Sequence, residues 1–173
     1  CFSKNAEYAF LYANNILKGR FELGEKTIAS NSEYAYEYAL RVIHGRWEVG
    51  EEAIALNSEY AYYYAYYVLK GRFELGEVSI ARVEDYSYEY ANTILRGRFE
   101  LGEAAIATSA YYSLNYAIDV LKDRFLLGEQ AIRNGDHHLE YILDEFTPIN
   151  DDWDYYCEKF PSALSSPINW LKN

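Results

Sequence analysis

The densest group of potential metal donors is Asp136, His137, His138, Glu140 and Asp144. Imidazoles and carboxylates in so short a span are the usual ligands of zinc or iron. Adjacent histidines on a helix cannot face the same way, however, and no cysteine supports them, so no metal site is expected. Nucleophilic and phosphate chemistry lack even this much. The chain has no HExxH, no CxxC, no glycine-rich phosphate loop and no nucleophile elbow. Acids are abundant, but no spacing fixes two of them as a catalytic pair. An enzyme with a site around His137 and His138 is therefore the weakest reading, and no catalytic residue, cofactor or metal is predicted.

Two charged columns recur at a fixed interval. Arg20, Arg46, Arg72, Arg98 and Arg124 form one, and Glu25, Glu51, Glu77, Glu103 and Glu129 form the other. An exposed arginine stripe could hold anions. A residue present in every copy is first a repeat-building residue, so each Arg is expected to pair with a Glu or with carbonyls at a helix end, as a structural ladder. Tyrosines follow the same rule. Tyr8, Tyr34, Tyr60, Tyr86 and Tyr112 recur, as do Tyr12, Tyr38, Tyr64, Tyr90 and Tyr116. Stacking of nucleobases or another flat ligand is one use for them. Packing between repeats, with the hydroxyls at the rim, is the expected one.

These columns belong to a repeat of 26 residues, marked by Lys18-Gly19-Arg20-Phe21 and its four successors and by Gly24-Glu25 and its four. Such a period denotes a supersecondary unit that cannot bury its apolar face alone. In the second copy, Ala35, Tyr38, Ala39, Val42 and Ile43 make one stripe at helical spacing, with Ser32 as the expected N-cap and Gly45 as the expected C-cap. Trp47, Val49, Gly50, Ile54 and Ala55 then suggest a second, short helix, and Leu56-Asn57-Ser58 a turn. Gly24, Gly50, Gly76, Gly102 and Gly128 imply close approach of neighbouring backbone. The predicted fold is all-α: an α-solenoid of five two-helix repeats over residues 1–136, closed by an irregular acidic cap over 137–173. In the cap, residues 138–143 could begin a sixth helix. Pro148, Pro161 and Pro167 break regularity, and Trp153, Phe160, Leu164 and Trp170 are candidates to seal the core.

The unit Tyr60-Ala61-x-x-Tyr64-Ala65-x-x-Val68-Leu69-Lys70-Gly71-Arg72-Phe73, followed by Gly76-Glu77, resembles a short α-helical tandem repeat of tailed bacteriophages and bacteria. Where such repeats often place Pro after the aromatic, this chain has Glu22, Glu48, Glu74, Glu100 and Leu126. The second helix should accordingly start less sharply. The resemblance implies a helical array and a phage origin, hence the cytoplasm of a bacterial host. It carries over no catalytic residues.

Composition limits the partner. The 173 residues include 27 acids against 16 bases, for a net charge of −11, which disfavours direct binding to nucleic acid. A protein with a basic or nucleic-acid-binding surface suits the sign better. Two cysteines, Cys1 and Cys157, exclude a disulfide-rich framework, and no apolar run is long enough to span a bilayer. The informative residues are those that vary between copies. Glu37, Leu40 and Arg41 lie opposite the stripe in copy two, and the same positions in copy three are Tyr63, Tyr66 and Tyr67. Three tyrosines on one outer face have no evident folding benefit and are expected to contact a partner protein, or a second copy of the chain. Asp144, Glu145, Asp151, Asp152 and Asp154 in the cap would steer a basic partner. The leading expectation is a non-catalytic protein-binding solenoid, an inhibitor of a host defence protein working by acidic mimicry of nucleic acid. The alternative is a small-ligand or nucleotide binder that uses the Tyr and Arg columns as a pocket.

Overall fold

The computed structural model describes residues 4–135. Among them are ten short α-helices and no strand. The cap, with the expected sixth helix and aromatic seal, lies outside the described residues. The helices fall into consecutive pairs: α1 (Ala6–Leu11) with α2 (Glu22–Ile28), α3 (Ser32–Tyr38) with α4 (Glu48–Ala55), α5 (Ser58–Tyr63) with α6 (Glu77–Ile80), α7 (Glu84–Glu89) with α8 (Glu103–Ile106), and α9 (Ala110–Asn115) with α10 (Glu129–Asn134). Each first helix also packs on the first helix of the next pair.

The first helices start on a side-chain cap one residue earlier than the sequence suggests. Asn31, not Ser32, takes the cap position, and its side chain accepts the Tyr34 N–H at 3.1 Å. Asn5, Asn57 and Ser109 do the same for Tyr8, Tyr60 and Tyr112. In copy four the cap position is Val83, which cannot accept, and Asp85 takes the Tyr86 N–H instead.

Every first helix then widens. Residues 12–17, 39–43, 64–69, 90–95 and 116–121 form π-helical turns. Each ends on a residue in the left-handed conformation, and here the glycine expectation is corrected. The residues at positive φ are Lys18, His44, Lys70, Arg96 and Lys122, at 50° to 57°, and no glycine among the described residues has positive φ. Gly45 and its equivalents come one residue later. The Gly45 N–H closes the turn on the Ala39 carbonyl at 3.2 Å, as Asp123, with no glycine, does on Ala117. A non-glycine residue in this conformation costs about 1–2 kcal/mol. Four of the five are Lys or Arg and the fifth is His, so the position places a cationic or titratable side chain beside the carbonyl end of the helix, where positive charge is favoured.

The second helices of copies one and two start directly, at Glu22 and Glu48, and the less sharp start expected without Pro is found in the other three. In copies three to five a 3-10 turn comes first, at Glu74–Gly76, Glu100–Gly102 and Leu126–Gly128. The invariant glycine sits here, and side chains rather than backbone approach it. A Cβ on Gly76 would lie 2.5 Å from the Phe73 ring and 2.8 Å from the Ala61 Cβ. Ala9, Ala35 and Ala61 face this glycine in the first three copies, and Ser87 and Ser113 in the last two. Burying those serines is made tolerable by hydrogen bonds to the Ile80 and Ile106 carbonyls, both 3.0 Å. The core is otherwise repetitive: Ala13, Tyr38, Ile54, Ala65, Tyr90 and Ile106 are fully buried. Trp47 replaces the usual Phe, and its buried indole N–H has no acceptor among the described residues.

Two glycines that look alike in sequence should therefore differ in urea denaturation. Gly71 has negative φ, and an added Cβ would meet only the Leu69 carbonyl oxygen, at 3.9 Å, so Gly71→Ala should leave stability unchanged or raise it by up to about 1 kcal/mol. Gly76→Ala should cost about 1–3 kcal/mol by overpacking. A larger loss at Gly71 than at Gly76 would contradict this account.

Candidate functional site

The arginine and glutamate columns form a bonded chain. Arg20 Nε and Nη2 donate to Glu25 Oε1 and Oε2 at 2.8 and 2.9 Å. The same fork joins Arg46 to Glu51, Arg72 to Glu77 and Arg98 to Glu103. Arg124 reaches Glu129 at 2.8 Å through Nε. Glu25, Glu51, Glu77 and Glu103 also hold the next copy. Tyr38 donates its hydroxyl proton to Glu25 Oε1 at 2.9 Å and accepts the Phe21 N–H at 2.8 Å. Tyr64, Tyr90 and Tyr116 repeat both bonds with Glu51 and Trp47, Glu77 and Phe73, and Glu103 and Phe99.

This corrects the expected rim position of one tyrosine column. The Tyr38, Tyr64, Tyr90 and Tyr116 hydroxyls are interior, and the residues are 0% exposed. Their rings are covered edgewise by the aromatic of their own copy, as Tyr64 is by Phe73 at 5.0 Å. Both functions of each of these hydroxyls are used, and each arginine fork is engaged by the glutamate of its own copy.

A third aromatic column was missed in the sequence. Phe10, Tyr36, Tyr62 and Tyr88 are buried and pack on the Tyr34 column of the following copy. The pairs are Phe10–Tyr34 (6.0 Å), Tyr36–Tyr60 (5.9 Å), Tyr62–Tyr86 (5.7 Å) and Tyr88–Tyr112 (5.7 Å). The recurrence was visible at four of five positions, with Leu114 at the fifth.

The varied face of copy three grows out of this stack. Tyr66 packs on Tyr62 at 5.9 Å, Tyr67 on Tyr63 at 5.9 Å, and Tyr66 and Tyr67 meet edge to face at 4.8 Å. Tyr66 and Tyr67 are 42% and 51% exposed. Tyr63 is corrected: it is half-buried, because Tyr36 (6.1 Å) and Tyr86 (6.3 Å) flank it. In copy two, Leu40 is half-buried against the core, and Arg41 is exposed and ion-paired with Glu37 one turn back. Around the rings the first helices of copies two to four carry Glu33, Glu37, Glu59, Glu84, Asp85 and Glu89, with Arg41 as their one base. Burial first, then Glu37, pushes the Tyr36 phenol up to about 12. Burial first, then Glu59, does the same for Tyr86.

Asp144, Glu145, Asp151, Asp152 and Asp154, like His137 and His138, lie outside the described residues. Among the described residues no group of three His, Cys, Asp or Glu is arranged to hold a metal, and no helix is long and apolar enough to cross a membrane. No protein-family model matches the chain, and neither the curated proteins nor the solved structures give a significant match.

The staples predict sensitivity to pH at both ends. Burial first, then the neighbouring Glu25 charge, raises the Tyr38 phenol to about 12, and burial with Glu103 does the same for Tyr116. An unfolded phenol titrates near about 10. The stabilisation is therefore complete below about pH 10 and is lost as pH rises toward the folded value. The Arg20 hydrogen bonds hold Glu25 below the usual carboxylate range, so its contribution is present above about pH 4.3 and is lost as pH falls through the folded value. Absorbance at 295 nm and circular dichroism followed together should show a late fraction of the phenolate, that of the buried tyrosines, appearing with loss of helix. Tyr64→Phe, which strands the buried Trp47 backbone N–H, should cost about 1–3 kcal/mol at neutral pH. Ionisation of all 20 tyrosines at about pH 10 in a still-folded chain would contradict the buried hydroxyl geometry of Tyr38, Tyr64, Tyr90 and Tyr116.

Proposed function

We propose that this chain is a non-catalytic binding protein whose helix pairs form a solenoid, and that it engages another protein through the tyrosine face of copy three. The observation that carries the reading is the pair Tyr66 and Tyr67. Both rings are exposed, both are held in place by tyrosines beneath them, and neither is repeated in the other copies. A ring fixed before binding loses little conformational freedom on contact, and tyrosine offers a large area for two torsions. The acids around the rings suit a partner with a basic surface, whose Lys or Arg side chains would meet both carboxylates and aromatic faces. A host defence protein that normally handles nucleic acid is a partner of that kind, and a phage-encoded inhibitor is the specific form of the proposal.

The test compares Tyr66→Ser/Tyr67→Ser with wild type. Tyr63 is left intact, because its ring also packs between copies. The double variant should melt within a few degrees of wild type, as surface changes do. Binding to proteins captured by the tagged wild-type chain should weaken by at least about 2 kcal/mol, measured by calorimetry on the recovered partner. Raising salt should slow association without abolishing it. An unchanged set of captured proteins, bound at unchanged affinity, would rule out this face as the binding site.

A further inference from the structure

A second surface breaks the rule that repeated positions serve the interior. The second residue of each second-helix segment is aliphatic in all five copies, at Leu23, Val49, Leu75, Leu101 and Leu127, yet between 53% and 85% of each is exposed. Consecutive second-helix segments are in contact, so the five side chains follow one another along one edge. Leu101 stands on the wall of a cleft of about 740 Å³ between copies three and four, shared with Arg72, Arg98, Phe99 and Glu100.

Its charge separates it from the rest of the molecule. Over residues 18–28, 44–55, 70–80, 96–106 and 122–132, which carry this edge, 10 Lys or Arg stand against 11 Asp or Glu, so the signs nearly balance. The first-helix face is acidic and the whole chain carries −11. Two copies of an acidic chain repel across most of their surfaces, and least across an edge where the signs cancel. A second copy also brings exposed aliphatic side chains of identical period, so a match at one repeat is a match at all of them. About a two-fold axis the same row meets itself, which is the isologous geometry of most dimers.

We infer that the row Leu23, Val49, Leu75, Leu101 and Leu127 is the interface through which two copies of this chain pair, in full register, with Leu75 of the central copy facing its own counterpart. The two rows pack against each other and leave water there, while arginines and glutamates of the two edges meet across them. The tyrosine face is a different surface and stays open for its own partner.

Sedimentation of the full chain should show a dimer at about 100 µM, and Leu75→Glu/Leu101→Glu should weaken dimerisation by at least about a hundredfold, as loss of central interface contacts does. Both side chains are more than half exposed, so the variant should keep its helix content. A cysteine probe gives a second readout that does not depend on that variant. With Cys1 and Cys157 replaced by Ser, Leu75→Cys should form a covalent dimer on mild oxidation, whereas Tyr67→Cys should not. A monomeric wild type would overturn the inference, including the case in which residues 136–173 cover the row. So would cross-linking as fast at position 67 as at position 75. Retention of the dimer by Tyr66→Ser/Tyr67→Ser is expected; its loss there and persistence in the Leu75 and Leu101 variant would assign pairing to the tyrosine face.

Discussion

The structure depends on one hydroxyl per copy. Tyr38, Tyr64, Tyr90 and Tyr116 each take a backbone N–H from the preceding copy and give a proton to its glutamate. That glutamate is nearly buried, as Glu51 at 7% exposure shows, and would be costly there without partners. The arginine fork and the phenol satisfy it together. The arginine side chains remain about 58–60% exposed in the first four copies, so one end of each pair keeps its hydration. The result avoids the full desolvation of a buried ion pair while still fixing where the next helix lies.

Much of this arrangement was legible, because repetition separates building residues from the rest. Arg20 and Glu25 with their successors could be paired on paper, and the helices could be placed by apolar spacing. Three things could not be read in that way. The role of the tyrosine hydroxyl depends on which end of the ring is buried, and spacing does not encode this. The left-handed residue was assigned to glycine because glycine usually takes it, whereas Lys18, His44, Lys70, Arg96 and Lys122 do so here. The partner of the invariant glycine was obscured because Ser87 and Ser113 replace alanine in two copies, which breaks the column for the eye but not for the packing. In the candidate site the exposure of Tyr66 and Tyr67 followed from their variation between copies. The support from Tyr62 did not, because a buried tyrosine and a surface tyrosine look the same in a tyrosine-rich helix.

Two surfaces of different character result. One carries rings and acids and is peculiar to the central copies. The other is sign-balanced and aliphatic and recurs along the whole described length. The first suits recognition of one partner at one place. The second suits contact with something that shares its period.

The bonds that join one copy to the next also span little chain. The tyrosine hydroxyl lies 13 residues from its glutamate and 17 from its backbone donor. No staple has to wait for a distant part of the polypeptide, so loop closure costs little entropy at each step. A chain built in this way should fold fast for its size, as domains dominated by local contacts do. During synthesis, each copy could be locked as soon as the next helix leaves the ribosome, in order from the first copy to the last.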